Sequence, residues 1–167
     1  MKCNEFFKRM YRLCYITRYD TVPRVKDENV AEHSFLVSAI VMKLHDVYDF
    51  NLGVALQIAI SHDMLENETG DVNHTIKREH NKLYKILKKV EKKALKKYPS
   101  SVRHGIKLYD SNTTIEPKIV HLADAIQCKQ YAENEIRLGS KYYFKSVVEN
   151  SIRRIAKIKI EIKGAKK

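Results

Sequence analysis

The amino-acid sequence predicts an all-α fold, a bundle of helices around one core. Three observations carry that prediction. The 167 residues include only 5 glycines and 3 prolines, the residues that most often interrupt helices. Leu, Ile, Lys and Glu dominate the composition. Apolar residues recur at three- and four-residue spacing along most of the chain, and strand-like alternation is confined to one place. The length is the usual size of one domain and is enough for a sizeable core, so residues 1–167 are read as a single domain.

In chain order, residues from about 4 to 16 form a first helix with Phe6, Phe7, Met10, Leu13 and Cys14 as its apolar stripe. Pro23 disfavours helix at the residue before it, which makes Thr17 to Arg24 a loop. Asn29 followed by Glu32 reads as an N-cap with its capping-box partner, so a second helix starts at Val30. Its inward face reads Val30, His33, Val37, Ile40, Val41, Leu44 and Val47. A third helix runs through Leu52, Ala55, Ile58, Ala59 and Leu65. It carries His62 on the apolar stripe, Asp63 beside it and Glu66 four residues on. Thr69-Gly70-Asp71 stops it, because glycine tolerates the left-handed geometry that ends helices.

Residues 75–97 read as one long helix with Leu83, Ile86, Leu87, Val90 and Ala94 inward and lysines around the rest. Residues 99–112 read as a turn, a short helix and a loop. Pro117 suits the first turn of a helix that runs through His121, Asp124 and Cys128 to Leu138, with Gly139 as its stop. From about residue 143, Ile158, Ile160 and Ile162 alternate as in a strand, while Ile155, Ile158 and Ile162 keep helical spacing. With few other strand signals, helix is the reading taken.

The composition excludes several classes. No run of about 18 apolar residues exists, which rules out a membrane span, and Met1 to Phe7 lacks the apolar stretch of a secretory signal. Three cysteines (Cys3, Cys14, Cys128) form no CxxC pair and no even set. That argues against a disulfide framework and for the cytoplasm. The net charge of +12 is concentrated: residues 77–97 contribute +8 and residues 151–167 contribute +6, leaving −2 for the remainder. The lysine-rich 77–97 stretch reads either as an anionic-partner surface or as a solvated helix face. Only Tyr84 and Tyr98 accompany it, and no nucleic-acid motif does, so nucleic acid is not the expected partner.

The chemistry gathers elsewhere. His33, His62, Asp63 and Asp124 each lie on or beside the apolar stripe of a helix. Alone, His33 reads as a core histidine, and Asp124 as a helix-face aspartate paired with Lys129 or His121. Together they are two imidazoles and two carboxylates aimed into a core, and buried carboxylates are costly unless paired or bound to a cation. This mixed nitrogen and oxygen set suits a catalytic divalent metal with open positions, unlike the cysteine-rich shell of structural zinc. Glu68 reads as solvent-exposed, and His45, His80, His104 and His121 as structural or surface residues.

The blocks Arg18-Tyr19, Asn29-Val30-Ala31-Glu32-His33-Ser34, His62 through Asp71, and Ala123-Asp124-Ala125 resemble the bacterial 5'-deoxynucleotidases of the HD-domain metal-dependent phosphohydrolases. The resemblance covers about residues 6–130, while the part after Gly139, with the lysine-rich helix and tail at 143–167, matches nothing in it. It implies an HD-type helical bundle with the metal site between core helices. It also implies one divalent ion (Mn, Co, Zn, Fe or Mg) on His33, His62, Asp63 and Asp124. By the same resemblance, Glu66 is the general acid/base and Arg18 grips the phosphate. Tyr19, Asp71, Val72, Asn73, His74 and Lys77 line the deoxynucleotide pocket beside the ligands His33, Asp63 and Asp124. A homodimer is expected. Two departures from the family pattern stand out: Tyr19 replaces a tryptophan, and Asn73 and Thr75 replace prolines. Both lie at substrate-contacting positions, which leaves base preference and phosphate number open. The leading expectation is a 5'-deoxynucleotidase. The alternatives are a deoxynucleoside triphosphate triphosphohydrolase of the dATP type and, more remotely, a basic nucleic-acid-binding module with a vestigial site.

Overall fold

The capping box at Asn29 is formed and sets the start of the helix on which the core is built. Asn29 Oδ1 accepts from the Glu32 amide at 2.9 Å, and Glu32 Oε2 accepts from the Asn29 amide at 3.2 Å, satisfying two amides that the first helical turn leaves unbonded. The computed structural model describes residues 3–164, with the side chains of Cys3, His74, Thr75 and Arg78 outside the described part. Its helices are α1 (Cys3–Leu13), α2 (Val30–Leu44), α3 (Leu52–Ser61), α4 (Glu66–Thr69), α5 (His74–Glu79), α6 (Asn81–Leu95), α7 (Ser100–Ser111), α8 (Ile115–Leu138) and α9 (Lys141–Gly164). The expected all-α class is observed.

Helix α8 is the centre of the packing, with α9, α2 and α3 against it, and α7 closes over α3. Val37 and Val41 of α2, Ile58 and Ala59 of α3, Ile119, Leu122 and Ala123 of α8, and Ile162 of α9 form the main core. Ile158 and Ile162 are buried while Ile160 is 71% exposed. The C-terminal isoleucines therefore follow helical periodicity and not strand alternation. Gly139, with φ of 118°, ends α8 as expected.

Four expectations are corrected. Helix α1 ends at Leu13, three residues early, because Thr17 is drawn into an antiparallel bridge with Asn29 and the Val30 amide donates to Ile16 O at 3.0 Å. Cys14, past the helix end, faces solvent, and so does Phe7 within α1. Helix α2 stops at Leu44, which leaves Val47 exposed. The 75–97 helix is two helices broken at His80, and Leu83, Ile86 and Val90 point outward. Only its far end reaches a core: Ala94 packs with Tyr98, Val102, Met64 and Leu65. Residues 100–111 form a full helix where a short one was expected.

The helix through His62 is also interrupted. Ser61 Oγ donates back to Gln57 O at 2.7 Å, and the His62 ring occupies Ala59 O at 2.7 Å. The His62 ring thus takes the Ala59 carbonyl that the Asp63 amide would use if the helix continued, and such side-chain competition disfavours the next turn. The chain continues in tighter turns, with Met64 N donating to Ser61 O at 3.1 Å and Glu66 N to Asp63 O at 3.0 Å, before α4 begins.

Gly105 lets α7 approach α3 at this point. A Cβ there would meet Ser61 Oγ at 2.3 Å and Gln57 O at 3.0 Å. Gly105→Ala is expected to destabilise the fold by about 1–2 kcal/mol through overpacking, despite alanine's helix preference of about 1 kcal/mol. A lowered urea midpoint checks this; an unchanged or raised midpoint would mean the two helices separate freely.

Candidate metal centre and active site

The site lies where α2, the end of α3 and the middle of α8 meet. The capping box fixes the phase of α2 so that His33 points inward, fully buried, and its Nδ1 lies 2.7 Å from Gln127 Oε1. His62, the C-cap of α3, directs Nδ1 to Ala59 O at 2.7 Å. A carbonyl oxygen only accepts, so each Nδ1 carries the hydrogen and each Nε2 is turned inward. Both Nε2 atoms are buried without a hydrogen-bond partner. Donor atoms of His33, His62 and Asp124 lie within 4.8 Å of one another. Asp63 Oδ2 is 3.1 Å from His62 Nε2 and 3.4 Å from His33 Nε2, and Asp124 Oδ1 is 3.4 Å from His33 Nε2.

Two imidazole lone pairs and two carboxylates on one point fit a divalent cation, and the outward hydrogen bonds from Nδ1 are the orienting contacts that metal-bound histidines use. The electrostatics agree. Burial and Arg18 push the His33 imidazole down, yet Asp124 and Asp63 outweigh them and raise it to about 9. Burial opposes ionisation of Asp63, but His62 and His33 hold its carboxyl well below the usual range. Asp124 is likewise depressed against burial by His33 and Arg154.

The other expected residues gather around this point. Arg18 is buried, with Nη1 3.6 Å from Asp63 Oδ2 and Nε 3.2 Å from Glu28 Oε2. Glu66 lies beyond the helix break, its Oε1 4.0 Å from Lys77 Nζ. Burial, then Asp63 and Asp71, push its carboxyl well above the usual range, against Arg18 and Lys77. Gly70, with φ 71° and ψ 170°, adopts a backbone conformation reserved for glycine and turns the chain into Asp71. Asp71 is raised by burial and Asp63 while Arg18 and Lys77 pull it down, which places it in the same field of charges. Val72 is half-buried, its amide on Gly70 O at 3.1 Å, and Asn73 O accepts from the Lys77 amide at 3.1 Å. The side chain of His74 lies outside the described residues.

Tyr19 takes a packing role. Its φ of 58° is unusual for a non-glycine residue, and Arg24 Nη1 holds its carbonyl at 3.0 Å. The ring stacks on Tyr131 with centroids 5.2 Å apart and meets the edge of Phe144. The Arg18 guanidinium lies 5.6 Å from its centroid, a cation–π contact that supports the arginine. Glu68 corrects the expectation of exposure: it is largely buried and paired with Arg9 and, at 3.5 Å, Lys97.

Four residues escape the sequence reading. Gln127 and Cys128 sit three and four residues after Asp124, one turn on along α8, a spacing that could have flagged them. The Cys128 thiol, pushed up to about 12 by burial and by Asp124, lies 3.4 Å from Asp124 Oδ1. Glu28 immediately precedes the N-cap. Arg154 of α9 donates through Nη2 to Asp124 Oδ2 at 2.9 Å, a contact set by how α8 and α9 pack and invisible in spacing. Asp124 therefore turns one oxygen to His33 and the other to Arg154.

Comparison with known proteins bears on this geometry. The sequence profile described as 5'-deoxynucleotidase YfbR-like matches residues 5–163. The chain belongs to the YfbR-like 5'-deoxynucleotidase family. It is 30% identical over 165 residues to a 5'-deoxynucleotidase from Yersinia pseudotuberculosis, covering 89% of this chain and 83% of that protein. It is 27% identical over 156 residues to a 5'-deoxynucleotidase from Vibrio cholerae, covering 86% and 80%. In fold it is similar to an HD-domain phosphohydrolase from Listeria innocua, with a TM-score of 0.75 at 23% identity over 96% of this chain and 85% of that one. The same holds for the PH0347 protein from Pyrococcus horikoshii, with a TM-score of 0.77 at 22% identity over 95% of each chain. The helical bundle is the HD-type fold. Among the described residues no helix is long and apolar enough to cross a membrane.

A proton and a metal ion compete for His33 Nε2. Because its raised value is about 9, binding at pH 7 must expel a proton, so apparent metal affinity rises with pH up to about 9 and then levels. Titrating Mn²⁺ into chelator-stripped protein in two buffers of different ionisation enthalpy should report about one proton released at pH 7. Affinity that is constant from pH 7 to 9 would contradict this assignment.

Proposed function

We propose that this site hydrolyses deoxynucleoside 5'-monophosphates to deoxynucleoside and orthophosphate. In this reading one divalent metal is held by His33, His62, Asp63 and Asp124. The observation that carries the reading is the convergence of two buried imidazole Nε2 atoms that make no hydrogen bond, with two carboxylates beside them, in a chain of this family. A bound divalent metal supplies Lewis-acid charge for a phosphoryl oxygen and for the attacking water.

The protein's own residues do the rest. A phosphate monoester repels nucleophiles and has a poor alkoxide leaving group, so catalysis is mainly positioning and charge stabilisation. Arg18 presents a forked cation on the Asp63 side of the site and orients the phosphate. Glu66, whose carboxyl burial and Asp63 push well above the usual range, is the group placed to give a proton to the 5' oxygen as the P–O bond breaks and the water oxygen bonds to phosphorus. Lys77, beside Glu66, adds positive charge where the phosphate arrives. Asp71, Val72, Asn73 and His74 lead away from Gly70 and provide the nucleoside side of the pocket, where the Asp71 carboxylate suits a sugar hydroxyl. Support for this placement comes from the shared charge field of Arg18, Glu66 and Asp71.

Product analysis tests the reading. Protein stripped with chelator and reloaded separately with Mn, Co, Zn, Fe or Mg is given deoxy- and ribonucleoside mono- and triphosphates. Orthophosphate from deoxymonophosphates is expected, with Asp63→Ala abolishing it and Glu66→Gln lowering kcat by about 10²–10⁴-fold. Triphosphate released from a deoxynucleoside triphosphate would transfer the site to triphosphohydrolysis, and no turnover with any metal would overturn it.

A further inference from the structure

The loop between α1 and α2 holds two buried charges whose connection goes beyond binding phosphate. Its ends are pinned together: the Arg18 amide donates to Glu28 O at 2.8 Å, beside the Thr17–Asn29 bridge. Arg18 and Glu28 therefore face each other across the neck of the loop, and their side chains pair, Nε to Oε2 at 3.2 Å. Further round the loop, Glu135 of α8 accepts from the Val25 and Lys26 amides at 2.7 and 3.0 Å. Tyr131 donates to Lys26 O at 2.6 Å. The neck is anchored on the same helix that carries Asp124.

The contacts continue inward from Glu28. Its second oxygen, Oε1, accepts from Gln127 Nε2, and Gln127 Oε1 lies 2.7 Å from His33 Nδ1. Glu28, Gln127 and His33 are 4%, 2% and 0% exposed, so water has little part in the chain. Each member has one way to satisfy the next. An ionised Glu28 only accepts, so Gln127 must present its amide hydrogens to it. The Gln127 carbonyl then faces His33, and His33 Nδ1 must donate. That leaves Nε2 as the atom turned toward Asp63 and Asp124. If the Gln127 amide turned over, its carbonyl would oppose a carboxylate and its hydrogens would oppose Nδ1, driving the imidazole hydrogen onto Nε2.

A purely packing role does not call for this chemistry. An apolar residue at position 127 would fit an α8 otherwise lined by Ile119, Leu122 and Ala123, and a buried charge pair is no better for stability than well-packed apolar groups. We infer that Glu28 and Gln127 are positioning residues that tie the metal ligand His33 and the phosphate-binding Arg18 into one buried chain. Metal binding and phosphate binding are then set by a shared carboxylate. This inference rests on the function proposed above and adds two residues that act through others.

The test compares wild type with Gln127→Leu and Glu28→Gln, using Mn²⁺ affinity by calorimetry on chelator-stripped protein and inhibition by inorganic phosphate at saturating Mn²⁺. Gln127→Leu should weaken Mn²⁺ by about 10–100-fold and leave the phosphate inhibition constant within about twofold, because Arg18 keeps its partner. Glu28→Gln should weaken both, since position 28 then presents an amide that orders neither neighbour. The Co²⁺-loaded forms should differ from wild type in their visible absorption bands, a change that lost packing alone would not produce. Mn²⁺ affinity unchanged in Gln127→Leu, or phosphate inhibition unchanged in Glu28→Gln, would overturn the inference. If Gln127→Leu fails to fold, Gln127→Asn, which keeps polarity but shortens the reach, takes its place with the same expectation. A wild type that binds Mn²⁺ and turns over substrate, with variants that match it, sinks only this inference. A wild type that does neither sinks the proposed function as well.

Discussion

The rest of the structure depends on keeping two carboxylates ionised beside two imidazoles in a buried pocket. Asp63 and Asp124 are both held well below the usual carboxylate range although burial opposes it. Their stability as anions comes from His33, His62 and Arg154, not from water. Removing any one partner leaves an uncompensated buried charge, which is far more costly than never having built the group. Such a site has to be braced from outside, and each brace is visible. Ala59 O holds His62, Gln127 holds His33, and Arg154 holds the outer oxygen of Asp124.

The bundle is arranged to deliver those braces. Helix α8 supplies a carboxylate at Asp124, an orienting amide at Gln127 and a thiol at Cys128 within little more than one turn, then anchors the Arg18 loop through Tyr131 and Glu135. Helix α9 packs along α8 and reaches back with Arg154. Ending α3 at Ser61 frees His62 and Asp63 to turn into the site, and the close approach permitted by Gly105 secures that end. Beyond the break, burial and neighbouring carboxylates push the Glu66 carboxyl well above the usual range, so one site holds carboxyl groups of opposite character. Pushing apart the proton affinities of neighbouring groups is a common way to build acid–base chemistry at neutral pH.

Much of this was legible in the sequence, for identifiable reasons. The N-cap at Asn29 fixed the helical phase that sends His33 inward, and the stripe through Ile58 and Ala59 carried His62 to the same centre. Glu66 was read from four-residue spacing on a continuous helix, where the chain in fact breaks after Ser61 and restarts at Glu66. Side-chain capture of carbonyls by Ser61 and His62 is a local event that periodicity does not register. The 75–97 segment misled because a helical stripe shows amphipathicity without showing which neighbour, if any, receives the apolar face. Gln127 lies one turn after Asp124 and its spacing could have flagged it, but Arg154 and Glu28 depend on how α8, α9 and the Arg18 loop pack, and that register is not written in the spacing of any one helix.

The most direct test of the central claim is the ligand set itself, read by X-ray absorption at the cobalt edge on chelator-stripped protein reloaded with one equivalent of Co²⁺. The account predicts a shell of nitrogen and oxygen with the multiple-scattering signature of two imidazoles, one of them lost in His33→Ala. A sulfur ligand, which would point to Cys128, or a shell without imidazole would contradict it.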